Sequence, residues 1–255
     1  MKTALVTGAS SGIGWHFANL LAKNGFDLVI TARSTDRLNN LAEEIRSKFE
    51  RKVEVITADL TTDPGIQNIV DRIKVGDIEV LINNAGFGLN KSFTKSESTD
   101  EIAVLRILCE APMRLAHAAI PAMIAKNSGT IINVSSVAAW ITGGHYSATK
   151  SYLMVLSESL HTELAETAIN ICSLAPGFTH TEFHQRGQMK MDGIPKFMWL
   201  DADMVVETAW QDALAGKAIS IPGRQYQALY LLMRYAPRSL VRRLGFSVRR
   251  NQRSK

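Results

Sequence analysis

Short apolar runs alternate with longer amphipathic stretches along most of this sequence. That order is satisfied when parallel strands thread a core and helices return over them. The runs are Thr3–Thr7, Asp27–Thr31, Val53–Thr57, Val80–Ile82, Thr130–Val134, Asn170–Leu174 and Ala218–Ile221. Most are continuously apolar rather than alternating, as strands are when helices cover both faces of their sheet. Between them the periodicity predicts helices near 13–24, 35–50, 64–73, 98–126, 146–167 and 201–215. Asp63 is the predicted N-cap of the third, with Pro64 at its first position. Pro112 and Pro121 should bend or interrupt the fourth. No repeat, low-complexity tract or linker divides the 255 residues. The expectation is one α/β domain, a doubly wound parallel sheet of about seven strands with helices on both faces.

The first run passes directly into Thr7-Gly8-Ala9-Ser10-Ser11-Gly12-Ile13-Gly14 and then into a helix. A dinucleotide site needs a tight turn, close backbone approach to the pyrophosphate and a helix N-terminus aimed at negative charge. Glycines at 8, 12 and 14 meet the first two needs and the helix starting near Gly12 meets the third. Their G-x-x-x-G-x-G spacing differs from the commoner Rossmann fingerprint. It resembles the cofactor motif of the short-chain dehydrogenase/reductase family.

The resemblance extends along almost the whole chain. Asp59-Leu60 resembles the family's adenine-contacting pair, and Asn83-Asn84-Ala85-Gly86 its NNAG motif. Pro176-Gly177, followed by Thr179 and Thr181, resembles the segment that flanks the nicotinamide. The family implies a Rossmann-type fold, with a phosphate and adenine half over 1–90 and a catalytic half over 91–222. A basic C-terminal helix and tail would occupy 223–255. The implied cofactor contacts are Gly8, Ser10, Ser11, Gly12, Ile13, Gly14, Arg33, Asp59, Leu60, Asn84, Ala85, Gly86, Tyr146, Lys150, Pro176, Gly177, Thr179 and Thr181. The second run ends Thr31-Ala32-Arg33. A carboxylate there would accept from a ribose 2′-hydroxyl, whereas a guanidinium suits a 2′-phosphate. The cofactor expected is therefore NADP, although Ser11 stands where some NADP-preferring relatives carry a second basic residue.

Tyr146-Ser147-Ala148-Thr149-Lys150 sets a tyrosine and a lysine one turn apart on one helix face. An unperturbed tyrosine has a pKa of about 10. A nearby lysine should stabilise tyrosinate and lower that value. By the resemblance, Tyr146 is the acid/base that interconverts a carbonyl and an alcohol. Lys150 tunes it and holds the nicotinamide ribose. Ser136 hydrogen-bonds the substrate oxygen, with Ser135 as the less favoured alternate.

Two features depart from the family. Its usual asparagine in the fourth helix, which helps carry a relay water behind the lysine, aligns with Leu108; no asparagine occurs between Asn90 and Asn127. A leucine side chain cannot hold water, so the relay should fail or be rerouted, slowing turnover. Ser136 and Tyr146 are also only ten residues apart, shorter than the family's usual separation. Gly143-Gly144 would let this loop turn tightly. His145, beside the tyrosine, is read as a bystander without a partner.

The two cysteines, Cys109 and Cys172, are read as buried free thiols in a reducing, cytoplasmic setting. No signal peptide or membrane span is expected. The resemblance implies that residues 178–195 form a mobile lid over the substrate, and Phe183, Met189 and Met191, near His184, suit an apolar pocket. His180 and His184 lack a partnering motif around Glu182, so no metal is expected. Ten of the 29 basic residues and none of the acidic ones lie from Ala213 to Lys255. Leu229, Leu232, Met233, Ala236 and Leu240 fall there at helical spacing. The favoured reading is a helix capping the core or pocket, followed by a solvated tail. The alternative is a helix on an anionic membrane surface, a stripe that Pro237 interrupts. Expected partners are a small carbonyl or alcohol substrate and a second copy, as a homodimer or homotetramer, with no nucleic acid. A rival function is a dinucleotide-binding sensor or interaction protein with weak or no turnover.

Overall fold

The computed structural model of the protein describes residues 2–182, 193–237 and 239–242. Seven parallel strands make one sheet in the order β3-β2-β1-β4-β5-β6-β7. They are β1 Thr3–Thr7, β2 Asp27–Ala32, β3 Val53–Thr57, β4 Ile78–Asn83, β5 Gly129–Val134, β6 Ile169–Leu174 and β7 Ile219–Ser220. The helices are α1 Gly12–Lys23, α2 Thr35–Phe49, α3 Asp63–Ile73, α4 Ser98–Leu105, α5 Ala111–Lys126, α6 His145–Glu163, α7 Ala202–Leu214 and α8 Arg224–Tyr235. This is the doubly wound sheet the sequence predicts.

Alternate residues of each strand feed two separate cores, which is why the runs carry no polar face. Ala4 and Val6 point toward α1, α2 and α7, meeting Phe17, Leu38 and Val205. Leu5 points the other way, toward Ile66 of α3 and Leu115 of α5. Strand order reverses between β1 and β4, and such a switch point opens a crevice at the carboxyl ends of the strands.

Two local expectations are corrected. Thr62, not Asp63, caps α3: its hydroxyl accepts from the Gly65 N–H at 3.2 Å, which shifts Pro64 to the second helical position. The long fourth helix is interrupted once, by a π-helical turn over Arg106–Glu110, while Pro121 stays inside α5. Pro112 cannot donate to the Leu108 carbonyl and its ring crowds that oxygen. The wider turn relieves the conflict. Residues 98–126 are long and apolar enough to cross a membrane, but Val104, Leu115, Ala119 and Met123 are buried within the protein core. Both thiols are buried, and burial pushes Cys109 up to about 11 and Cys172 up to about 12, so both stay protonated and inert.

Candidate active site

The site is assembled where β1, β4 and β5 end. Gly8 and Gly12 turn the chain out of β1 with φ of 67° and 57°, a left-handed conformation that other residues rarely adopt. A Cβ on Gly14 would sit 2.3 Å from the Gly8 carbonyl oxygen, so α1 can approach the turn only with glycine there.

Thr7 joins this turn to the NNAG segment. Its hydroxyl donates to the Ile82 carbonyl at 3.2 Å and accepts from the N–H groups of Asn84 and Ala85 at 2.9 and 3.0 Å. The Asn84 amide donates to the carbonyls of Thr7 and Gly8, at 2.9 and 3.2 Å. Asn83 donates to Asn133 at 2.8 Å, and Asn133 donates to Ser157 at 2.9 Å. The side chains of this motif thus brace the ends of β1, β4 and β5. Thr7 itself was not singled out in the sequence, where it reads as an ordinary strand end.

Ser135 and Ser136 part company at the end of β5. Ser135 is buried and its hydroxyl donates to the Lys150 carbonyl at 2.8 Å, a structural role. Ser136 stands beside Tyr146, where its hydroxyl favours the tyrosinate. The shortened loop keeps this pair together. A 3₁₀ turn over Val137–Trp140 and Gly144 at φ 87° bring the chain into α6 one residue before the tyrosine.

Lys150 Nζ donates to the Val134 carbonyl at 2.6 Å and lies 5.7 Å from the Tyr146 ring centroid. Burial dominates both groups. It pushes the Tyr146 phenol above its ordinary value, against the expectation that the lysine would lower it, and pulls Lys150 down to about 8. The Ser136 hydroxyl offsets only part of the rise in Tyr146.

His145 is not a bystander. Its Nδ1 meets the Glu101 carboxylate from α4, and Glu101 also accepts from Ser96 Oγ at 2.5 Å. The pair ties α4 to the first residue of α6, beside Tyr146. Removing the imidazole leaves a carboxylate that is 12% exposed with less hydrogen bonding. His145→Ala should therefore cost about 1–3 kcal/mol of stability, measured by urea unfolding. No change in the midpoint would show that the contact contributes nothing.

These elements enclose a groove of about 740 Å³. Every residue the sequence marks for the cofactor lines it except Gly14, which supports the turn from behind; Ser136 lines it too. Arg33 and Arg37 line it from the end of β2 and from α2, and Tyr146 and Lys150 line it from α6. Arg37, one helical turn beyond Arg33 in the sequence, joins it in the lining, and its guanidinium pairs with Glu182 at 2.8 Å. Gly177 packs so closely on Tyr226 of α8 that a Cβ would lie 1.9 Å from the ring. Leu108 is buried against Gly86 and contributes to the groove wall. Beyond it lies a separate cavity of about 10 Å³ lined by Asn83, Leu108 and Lys150, close to the room one water needs. Asn83 Oδ1 is buried and has no hydrogen-bond partner among the described residues. The predicted lid residues Phe183, His184, Met189 and Met191 lie outside the described residues.

The groove's size and glycine turn fit a dinucleotide, and its two arginines suit a phosphate. The family described as short chain dehydrogenase matches residues 2–191. An uncharacterized oxidoreductase of Staphylococcus saprophyticus is 32% identical over 185 residues, 71% of this chain and 79% of that protein. An NADP-dependent 3-hydroxy acid dehydrogenase of Schizosaccharomyces pombe is 33% identical over 189 residues, 71% of this chain and 73% of that one. Among solved structures, a short-chain dehydrogenase from Sphingobium yanoikuyae in complex with NADPH superposes with a TM-score of 0.84 at 30% identity. It covers 93% of this chain and 96% of its own. With strand order, cofactor turn and the serine, tyrosine and lysine all in family sequence, this chain belongs to the short-chain dehydrogenase family of oxidoreductases.

Proposed function

We propose that the protein is an NADP-dependent oxidoreductase interconverting a carbonyl and an alcohol on an apolar small molecule. The observation that carries this reading is Ser136, Tyr146 and Lys150 lining one groove, with the lysine 5.7 Å from the tyrosine ring. Gly8, Ser10, Ser11, Gly12 and Ile13 would hold the pyrophosphate, Asp59 and Leu60 the adenine, and Lys150 the nicotinamide ribose. Arg33 and Arg37, with no carboxylate at the end of β2, favour a 2′-phosphate. When bound, NADPH supplies the hydride for reduction. The apolar wall made by Phe87, Ile107 and Leu108 supports an apolar substrate.

The protein's own groups then handle the proton. Ser136 positions the substrate oxygen. Tyr146, held protonated by burial, is suited to give its proton to that oxygen at neutral pH. A cationic Lys150 near the ring favours the tyrosinate left behind. The lysine loses its charge as pH rises through about 8. Single-turnover reduction should accordingly be flat below that pH and decline above it. The experiment is a panel of apolar ketones offered with NADPH or NADH across pH. Turnover with NADPH and a decline near pH 8 support the reading. Faster turnover with NADH, or a rate that rises above pH 8, contradicts it.

Leu108 favours slowed turnover over a dead site, since the water-sized cavity beside Lys150 leaves another path for a relay. A second reading, a dinucleotide-binding sensor with little chemistry, rests on the same leucine alone. Exposed Ile102, Leu105, Tyr152 and Val155 on α4 and α6 support a homo-oligomer built on those helices. The buried, protonated thiols are consistent with a cytoplasmic setting.

A further inference from the structure

We infer that the outward face of α8 is a docking surface for an anionic lipid bilayer. The inner face of this helix is firmly seated. Tyr226 and Met233 are buried, and Tyr230 packs on Trp140 with ring centroids 5.0 Å apart. The Tyr226 hydroxyl donates to the Met198 carbonyl at 2.6 Å and accepts from the Phe178 N–H at 2.9 Å.

The outer face would ordinarily be polar. Here it carries Leu231, Leu232 and Tyr235, exposed by 56%, 60% and 80%. With Ala228 they follow the i, i+3, i+4, i+7 spacing of one helix face. Phe197, 70% exposed, stands at the N-terminal end of the same helix, where Gln225 donates to its carbonyl at 3.0 Å. The sequence pattern had placed Leu232 and Leu240 on a buried stripe with Met233. The structure turns both leucines outward and keeps Leu229 and Met233 against the core.

Charge decides what covers this face. Arg224 and Arg234 flank the apolar residues, and no acidic residue occurs from Ala213 to the end of the chain. A second copy docking across a two-fold axis would set the patch against itself. Arginine would then face arginine with no carboxylate on α8 to offset the repulsion. An apolar ridge whose only charged neighbours on its own helix are arginines is instead the pattern of a helix lying in the headgroup region, with lysines and arginines on anionic lipid. Through Tyr226 the helix also fixes Gly177 and Phe178, so a bilayer held there would be mechanically joined to the groove.

The test is co-sedimentation of the full chain with vesicles of phosphatidylcholine alone, or mixed equally with phosphatidylglycerol. The protein should partition at least about tenfold more strongly onto the mixed vesicles, and less so at high salt. The pair Leu231→Glu and Leu232→Glu should abolish that gain without moving the thermal midpoint, because both side chains are exposed. Arg224→Glu with Arg234→Glu, on the rim, should do the same and guards against misfolding of the first variant. The inference is overturned by equal pelleting with both vesicle types, by variants that pellet like wild type, or by light scattering that shows the variants breaking a dimer in the absence of lipid.

Discussion

Replacing Tyr146 with phenylalanine should lower single-turnover carbonyl reduction by about 10²–10⁴-fold, the usual contribution of a positioned general acid. Only the phenolic oxygen is lost. The ring keeps its packing, Lys150 keeps its bond to the Val134 carbonyl, and the groove keeps every other lining residue. NADPH affinity should therefore stay close to that of the wild type while the rate falls. The two readouts separate cleanly: a fluorescence titration reports binding, and a stopped-flow trace reports chemistry. A phenylalanine variant that reduces ketones at the wild-type rate would remove Tyr146 from the mechanism.

Arg33→Asp should reverse the cofactor preference. The arginine offers a planar, permanently charged fork to a 2′-phosphate, and losing a charge-assisted contact of that kind weakens binding by roughly tenfold or more. An aspartate adds repulsion against the phosphate and offers acceptors to a 2′-hydroxyl. NADPH should bind much more weakly and NADH more tightly, with the ratio of the two dissociation constants moving by about 10²-fold or more. Arg37 limits the loss, since it also lines the groove, although Glu182 already engages it. Unchanged discrimination in Arg33→Asp would mean that the adenosine end is read by other groups.

The seven strands, the glycine turn and the order of Ser136, Tyr146 and Lys150 were legible because each is written locally. A parallel strand covered on both sides must be apolar throughout, and a phosphate turn must have glycine where φ is positive or a helix approaches closely. The extent of β4 was less legible: it runs Ile78–Asn83 rather than over the three residues Val80–Ile82. The cap of α3 was misplaced by one residue because Thr62 and Asp63 are both competent caps, and only the backbone shows which one leaves the helix.

What could not be read depends on contacts distant in sequence. His145 and Glu101 lie 44 residues apart, with no motif joining them. Tyr226 explains Gly177 only once α8 folds back over the end of β6. The direction of the Tyr146 shift is of the same kind. Spacing alone puts a cation near the phenol, but how far burial outweighs that cation is a property of the assembled core. The π-turn at Leu108 combines both: Pro112 is a local cause, while the cavity left beside Lys150 is a tertiary result.

The most direct measurement of the central claim is transfer of deuterium from NADPH carrying deuterium at both nicotinamide C4 positions. Wild-type protein would be mixed with a slight excess of an apolar ketone and the alcohol analysed by mass spectrometry and NMR. The account predicts a single deuterium on the carbinol carbon, formed in wild type and nearly absent in Tyr146→Phe. Saturable NADPH binding with no label in any product would contradict it, and would identify the groove as a cofactor-sensing site rather than a catalytic one.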